Sequence, residues 1–170
     1  MSFDADYEYR TGIGTDIHRL AAGRALVLGG VEVDYVLGLL GHSDGDVVLH
    51  AVADALLGAA VQGDIGVLFP DTDAKWKDAD SRELLFIVVN RLYEEKWEIV
   101  NVDLTVHAEE PKLGQYKGQM KRSISGILDI DFNHVNVKAK TNEGLGDTGS
   151  GHAISAISIV LLRRRLKRKL

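Results

Sequence analysis

The period of apolar and polar positions changes repeatedly along the chain, and each change marks an element. Tyr9–Leu20 reads as a strand. Ala25-Leu26-Val27-Leu28 runs into Gly29-Gly30 and Val31-Glu32-Val33, the pattern of a bent strand or a hairpin. A helix is predicted from Ser43 to Gln62, with an Ala- and Leu-rich body and a near capping box formed by Ser43 and Asp46. Gly63 and Gly66 close it and open a loop through Phe69-Pro70-Asp71. A second helix is predicted over Ser81–Glu95. Val102, Leu104, Val106 and Ala108 then share one face of a strand. A third helix spans Gly114–Ile127, and Val135, Val137 and Ala139 alternate as a strand. Ala153–Leu162 is apolar on both faces, which predicts a central strand covered on both sides.

This order predicts an α+β fold: a single domain over residues 1–170, with a small mixed β-sheet and helices on one face. The helices are too few to cover both faces. Packing sheet on sheet in a symmetric oligomer would cover the other.

Composition narrows the chemistry. With no cysteine among 170 residues, any metal must be held by His, Asp or Glu. No apolar run has the length of a membrane span, and Met1–Arg10 lacks the pattern of a signal peptide. The expectation is a cytoplasmic protein, or one of an organelle stroma if a transit peptide was removed, with no membrane partner. A net charge of −5 argues against general nucleic-acid binding. The exception is the basic tail from Arg163 to Lys169, which reads as a solvated terminus or as a contact for nucleic acid or anionic lipid.

Candidate chemistry falls in five places. Asp16 and His18 are two apart on a strand, so they project together. In the run from His42 to His50, capping accounts for Ser43, Asp44 and Asp46 without any function, but it does not account for His50. Asp16, His18 and His50 together make a zinc set with its fourth corner open, the pattern of a catalytic site. Gly63-Asp64-Ile65-Gly66, followed by Asp71, reads either as a helix end or as a place where backbone approaches a ligand. Around Pro111, Lys112 could pair with a phosphate or sit in an exposed loop. Lys138, Lys140, Thr141 and Glu143 near a glycine turn would suit a magnesium diphosphate, with Glu143 as metal ligand, or a solvated strand end.

Taken in order, five of these motifs resemble the 2-C-methyl-D-erythritol 2,4-cyclodiphosphate synthase family. They are Asp16-x-His18, His42-Ser43-Asp44-Gly45-Asp46-x-x-x-His50, Gly63-Asp64-Ile65-Gly66, Phe69-Pro70-Asp71-Thr72-Asp73 and Lys140-Thr141-Asn142-Glu143. The resemblance runs from about Arg10 to Leu162. It implies a homotrimer with active sites between subunits. It implies conversion of 4-diphosphocytidyl-2-C-methyl-D-erythritol 2-phosphate to the 2,4-cyclodiphosphate and CMP, a step of the non-mevalonate route to isoprenoid precursors. By matching position, Zn2+ or another divalent transition metal would sit on Asp16, His18 and His50. Mg2+ or Mn2+ would sit on Glu143. His42 and Ser43 would touch the reacting phosphates, with Asp46 near the diol and Thr141 on the diphosphate. Asp64 and Gly66 would hold the ribose. Ala108, Pro111, Lys112 and Leu113 would form the cytosine pocket, while Asp71, Ala139 and Lys140 would complete the substrate contacts.

The chain departs from the family pattern at Asp147 and Ser150, where many members carry an aromatic residue and an arginine that help form an anion-binding cavity on the trimer axis. Two other readings of the same residues are a zinc-dependent phosphohydrolase and a non-catalytic, zinc-stabilised binding module.

Overall fold

The computed structural model describes residues 6–166, so Lys167, Arg168 and Lys169 of the basic tail lie outside the described residues. In chain order, β1 (Tyr7–Ala21) is followed by β2 (Leu26–Leu28), β3 (Val31–Val33) and β4 (Gly38–Leu39). Helix α1 (Val47–Ala60), the single turn α2 (Ile65–Leu68) and helix α3 (Ser81–Glu94) come next. Then follow β5 (Glu98–His107), α4 (Lys117–Leu128), β6 (Val135–Lys140), the single turn α5 (Gly146–Gly149) and β7 (Ala153–Arg165).

Five strands form one sheet in the order β4-β1-β7-β5-β6. Only β5 and β6 run parallel, and the other neighbours are antiparallel, so the sheet is mixed as expected. β2 and β3 form a separate hairpin. Its turn is Gly29-Gly30, with φ of 63° and 72°. Two successive left-handed residues suit a tight two-residue hairpin, and glycine reaches that region without strain.

β7 is central, but one chain covers only one of its faces. Ile154, Ala156, Ser158, Val160 and Leu162 are buried against the helices, while Ile157 and Ile159 on the other face are 40% and 50% exposed. Beside them on β1, Ile13 and Ile17 are 65% and 55% exposed. The expected double cover is therefore absent within one chain. What remains is a bare isoleucine face, the kind of surface that marks an interaction site.

The helical face is set by small residues. A Cβ added at Gly12 would stand 2.0 Å from the Ala55 carbonyl, and one at Gly14 would stand 2.1 Å from the Ala51 carbonyl. Helix α1 thus lies directly on the backbone of β1, with Ala51, Ala55 and Ala59 facing the strand at four-residue spacing. Since alternate strand residues share a face, Gly12, Gly14, Asp16 and His18 all point toward α1.

Helix α1 begins at Val47, four residues later than the sequence pattern predicts, and the reason is Asp46. Its carboxylate accepts the amides of Val48 (3.0 Å) and Leu49 (3.1 Å), so Asp46 is the N-cap. It also accepts the amides of Gly29 (2.8 Å) and Gly30 (2.6 Å) from the β2–β3 turn. Asp46 is fully buried. Expected beside the substrate's diol, it instead pins the hairpin to the start of α1. Each amide orphaned by its loss would cost about 1–3 kcal/mol.

Candidate active site and metal centre

Beyond Gly14 the close contact between β1 and α1 ends, and polar side chains fill the widening space. Asp16 and His18 extend from the strand, and His50 from the first turn of the helix. The Asp16 Oδ2 atom lies 3.0 Å from His18 Nε2 and 2.9 Å from His50 Nδ1, and the two ring nitrogens are 3.2 Å apart. Among the described residues this is the one group of three or more His, Asp or Glu side chains whose ligand atoms converge within 4.8 Å.

The electrostatics follow from that convergence. Burial works to raise the pKa of Asp16, but hydrogen bonds from His18 and His50 outweigh it and hold the carboxyl well below the usual carboxylate range. Burial works to lower the pKa of His50, and the Asp16 carboxylate outweighs it, so the imidazole stays basic. The corner is therefore built for positive charge. Donor atoms around tetrahedral zinc at ordinary bond lengths stand about 3.3 Å apart. The three atoms here are near that spacing already, so the residues fit a divalent metal.

The ring of His50 is held from behind. Its Nε2 lies 2.9 Å from Ser81 Oγ and 3.1 Å from Ser43 Oγ. Ser81 is the first residue of α3, and its hydroxyl donates to Asp44 (2.5 Å).

The metal corner opens into a cleft of about 210 Å³, whose walls include His42, Ser43, Gly66, Asp71 and Phe69. The His42 ring nitrogen lies 3.4 Å from the Asp73 carbonyl, which steadies the ring at the mouth. Asp64 caps α2 by accepting the Val67 amide (2.8 Å). Neighbouring Ile65 is tied back to α1, because Asp54 accepts its amide (2.7 Å).

The remaining candidates gather elsewhere. A second cleft, of about 310 Å³, is lined by Ala108, Pro111, Lys112, Leu113, Ala139, Lys140 and Thr141. Lys112 is exposed and rests on the Glu109 carbonyl (3.0 Å) and the Glu110 carboxylate (3.2 Å). The Thr141 hydroxyl donates to Glu143 (2.8 Å), which sits at φ 51°, in the left-handed region. The sheet register sets how far apart the two clefts lie. Asp16 pairs with Ala156, Ala156 with Val106, and Val106 with Ala139. Three strand spacings place Asp16 and Ala139 about 14 Å apart, at the same end of the sheet.

The structure thus brings Asp16, His18, His42, Ser43, His50, Gly66 and Asp71 to one cleft, groups Ala108 to Leu113 with Ala139 to Thr141 in another, and removes Asp46 from both. Sequence reasoning missed Ile65, Trp76 and Leu84 as cleft walls. Trp76 packs edge-on against Phe69 (centroids 4.8 Å apart), and nothing in its sequence neighbourhood marks it as a wall. It also missed that Ser81 and Asp44 back His50. Their polar character beside two predicted helix starts was the available signal.

A single α+β domain with a converging Asp-His-His group able to hold a metal defines a class of small enzyme. Comparison with known proteins places it more narrowly: a family model described as YgbB family matches residues 9–163. The chain belongs to that family. It is 52% identical over 157 residues to the 2-C-methyl-D-erythritol 2,4-cyclodiphosphate synthase of Bordetella avium, covering 92% of this chain and 97% of the relative. It is 54% identical over 160 residues to the bifunctional enzyme IspD/IspF of Albidiferax ferrireducens, covering 94% of this chain. Of that bifunctional protein the chain spans 38% of the length. The IspF of Plasmodium falciparum, solved as a CDP complex, superposes with a TM-score of 0.81 at 35% identity, covering 93% of this chain and 97% of that one.

Proposed function

We propose that this chain is a 2-C-methyl-D-erythritol 2,4-cyclodiphosphate synthase. It converts 4-diphosphocytidyl-2-C-methyl-D-erythritol 2-phosphate to 2-C-methyl-D-erythritol 2,4-cyclodiphosphate and CMP, within the non-mevalonate route to isoprenoid precursors. The observation that carries this reading is the convergence of Asp16, His18 and His50 at the mouth of a cleft walled by His42 and Ser43. Relatives at about half identity bear the synthase name.

In the reaction, an oxygen of the 2-phosphate forms a new bond to the β-phosphorus. The bond from that phosphorus to the bridging oxygen breaks, and its electron pair leaves with CMP. Both partners belong to one molecule, so holding it folded supplies on the order of 7–11 kcal/mol through proximity. A phosphate dianion is already nucleophilic, so His42 positions a phosphate oxygen rather than removing a proton. Ser43 donates its hydroxyl to the same group. Asp16, His18 and His50 would hold a zinc ion, and Glu143 a magnesium ion. Such ions polarise phosphoryl oxygens and offset charge developing on them. Thr141 binds the diphosphate. Ala108 to Leu113 receive the cytosine, and Asp64 and Gly66 the ribose.

The working enzyme is a homotrimer. Support comes from the bare Ile13, Ile17, Ile157 and Ile159 face, and from the division of one substrate's contacts between two clefts of a single chain. Packing the bare faces together sets the metal cleft of one subunit against the cytosine cleft of its neighbour. No helix among the described residues is long and apolar enough to cross a membrane. Reaction in the cytoplasm is part of this reading.

Phosphorus NMR of the products tests it. The cyclic diphosphate with stoichiometric CMP is the expected result. Release of inorganic phosphate would replace the cyclase with a phosphohydrolase. Zinc-dependent folding without turnover would leave a binding module.

A further inference from the structure

The contacts behind His50 form a chain that runs away from the cleft and fixes which ring nitrogen carries the proton. We propose that Ser81 and Asp44 are positioning residues that lock His50 in the tautomer able to bind a metal through Nδ1.

Asp44 stands among donors. Its Oδ2 accepts the Ser81 amide (3.1 Å), and its Oδ1 accepts the Ser81 hydroxyl (2.5 Å) and the Asp46 amide (3.1 Å). An ionised carboxylate can only accept, so the Ser81 hydroxyl must spend its proton there. The Ser81 oxygen is then left as an acceptor, 2.9 Å from His50 Nε2. Only an Nε2–H ring satisfies that contact. With one proton held there, His50 donates its other from Nδ1 to Asp16 (2.9 Å) in the metal-free protein, and a metal displacing that proton meets a lone pair on Nδ1, the nitrogen that also faces His18 (3.2 Å). Fixing the ring through its second nitrogen is how proteins raise the affinity of a histidine ligand.

The surroundings hold the chain rigid. Ser81 is 1% exposed. Asp44 is anchored through its own amide, which donates to the Ala79 carbonyl (3.0 Å). The amide at the head of α3 therefore orients Asp44 as well as opening that helix. Ser43 Oγ is also near Nε2 (3.1 Å), but it accepts the Gly45 amide (3.2 Å) and has no carboxylate behind it. Ser43 cannot dictate the proton's place, and its own hydrogen stays available to the cleft.

The inference rests on the reading of Asp16, His18 and His50 as a metal centre, and the test separates the two. Zinc affinity is measured by competition with a chromophoric chelator for the wild type, Ser81→Ala and Asp44→Asn. Alongside, the imidazole nitrogens of the metal-free proteins are read by 15N NMR at alkaline pH. We expect wild-type His50 to give up its Nδ1 proton first as the pH rises and to keep the one on Nε2. Ser81→Ala and Asp44→Asn should each weaken zinc binding by roughly 10–100-fold, and Asp44→Asn should populate the Nδ1–H form. Should both variants remain folded and bind zinc as tightly as the wild type, the positioning role is wrong. A wild type that binds no zinc at all would instead overturn the metal centre. If Asp44→Asn fails to fold, Ser81→Ala, which removes one hydroxyl, decides alone.

Discussion

The two clefts differ in how far a single chain completes them. The Asp16, His18 and His50 corner, able to hold a metal, is prefabricated: three candidate ligand atoms converge, the His50 ring is braced by two serines, and the strand and helix that carry them touch backbone to backbone at Gly12 and Gly14. The second cleft, proposed to receive cytosine, is open. Lys112 is exposed and leans on its own loop, and the polar side chains there bond mainly to near neighbours, as Thr141 does to Glu143. The difference teaches where the reaction's demands fall. A metal needs ligands placed to within a fraction of an ångström, which rigid elements supply. A nucleotide read by loop backbone can wait for a neighbouring subunit to close the pocket.

The largest effect should come from separating the halves. Ile159→Lys puts a charge on the bare face without touching the core beneath it. Light scattering should show a monomer, turnover should be lost, and zinc should still bind. A variant that stays fully active as a monomer would dissolve the contrast between a complete and an incomplete cleft.

Next comes Asp16→Asn, which removes the carboxylate that bonds both imidazoles. Loss of turnover should exceed the roughly 10–100-fold typical of an outer-shell partner, with the circular dichroism spectrum unchanged. Mixed with a Lys112→Ala, Thr141→Ala double variant, it should regain part of its activity, because some shared sites then receive one intact half from each chain. Absence of any recovery in proven mixed trimers would argue that each chain uses its own two clefts.

Gly14→Ala asks whether the rigid contact matters. Its Cβ would meet the Ala51 carbonyl at 2.1 Å, so α1 must move. Overpacking of this kind costs about 1–3 kcal/mol, and here the shift also carries His50 away from Asp16. Thermal melting should fall, and zinc affinity should fall with it. An unchanged zinc affinity would mean the corner tolerates more slack than its packing implies.

The smallest effect is a pH response confined to the metal side. His50 is held basic by Asp16, against burial that favours its neutral form. Protons therefore compete with metal below that raised pKa, and zinc affinity should decline as pH falls through it and recover as pH rises. Binding of a cytidine nucleotide, measured separately by calorimetry, should stay flat over the same range.

Much of this was legible along the chain. The alternation of β5 and β6, the helical spacing of α3 and the pairing of Asp16 with His18 on one strand edge are all local patterns, set by side-chain periods of two and of about 3.6. Asp46 was misplaced for a reason that sequence cannot show. A carboxylate at a helix start looks alike whether it faces substrate or the turn of a hairpin sixteen residues earlier, and only Gly29 and Gly30 arriving with their amides decided which. Ser81 went unread for the same reason, since its hydroxyl has meaning only against Asp44 and His50.

By itself the sequence determined the element types, the restriction of any metal to nitrogen and oxygen ligands in a chain without cysteine, and the candidate set of Asp16, His18 and His50. Tertiary structure decided which candidate ligands meet, that Asp46 is buried against a hairpin, and that the candidate residues divide between two clefts with a bare isoleucine face beside them. The physical reason is range. Periodicity and capping act over a few residues, whereas convergence, burial and the need for a partner depend on strands and helices that are distant along the chain coming within a few ångströms of each other.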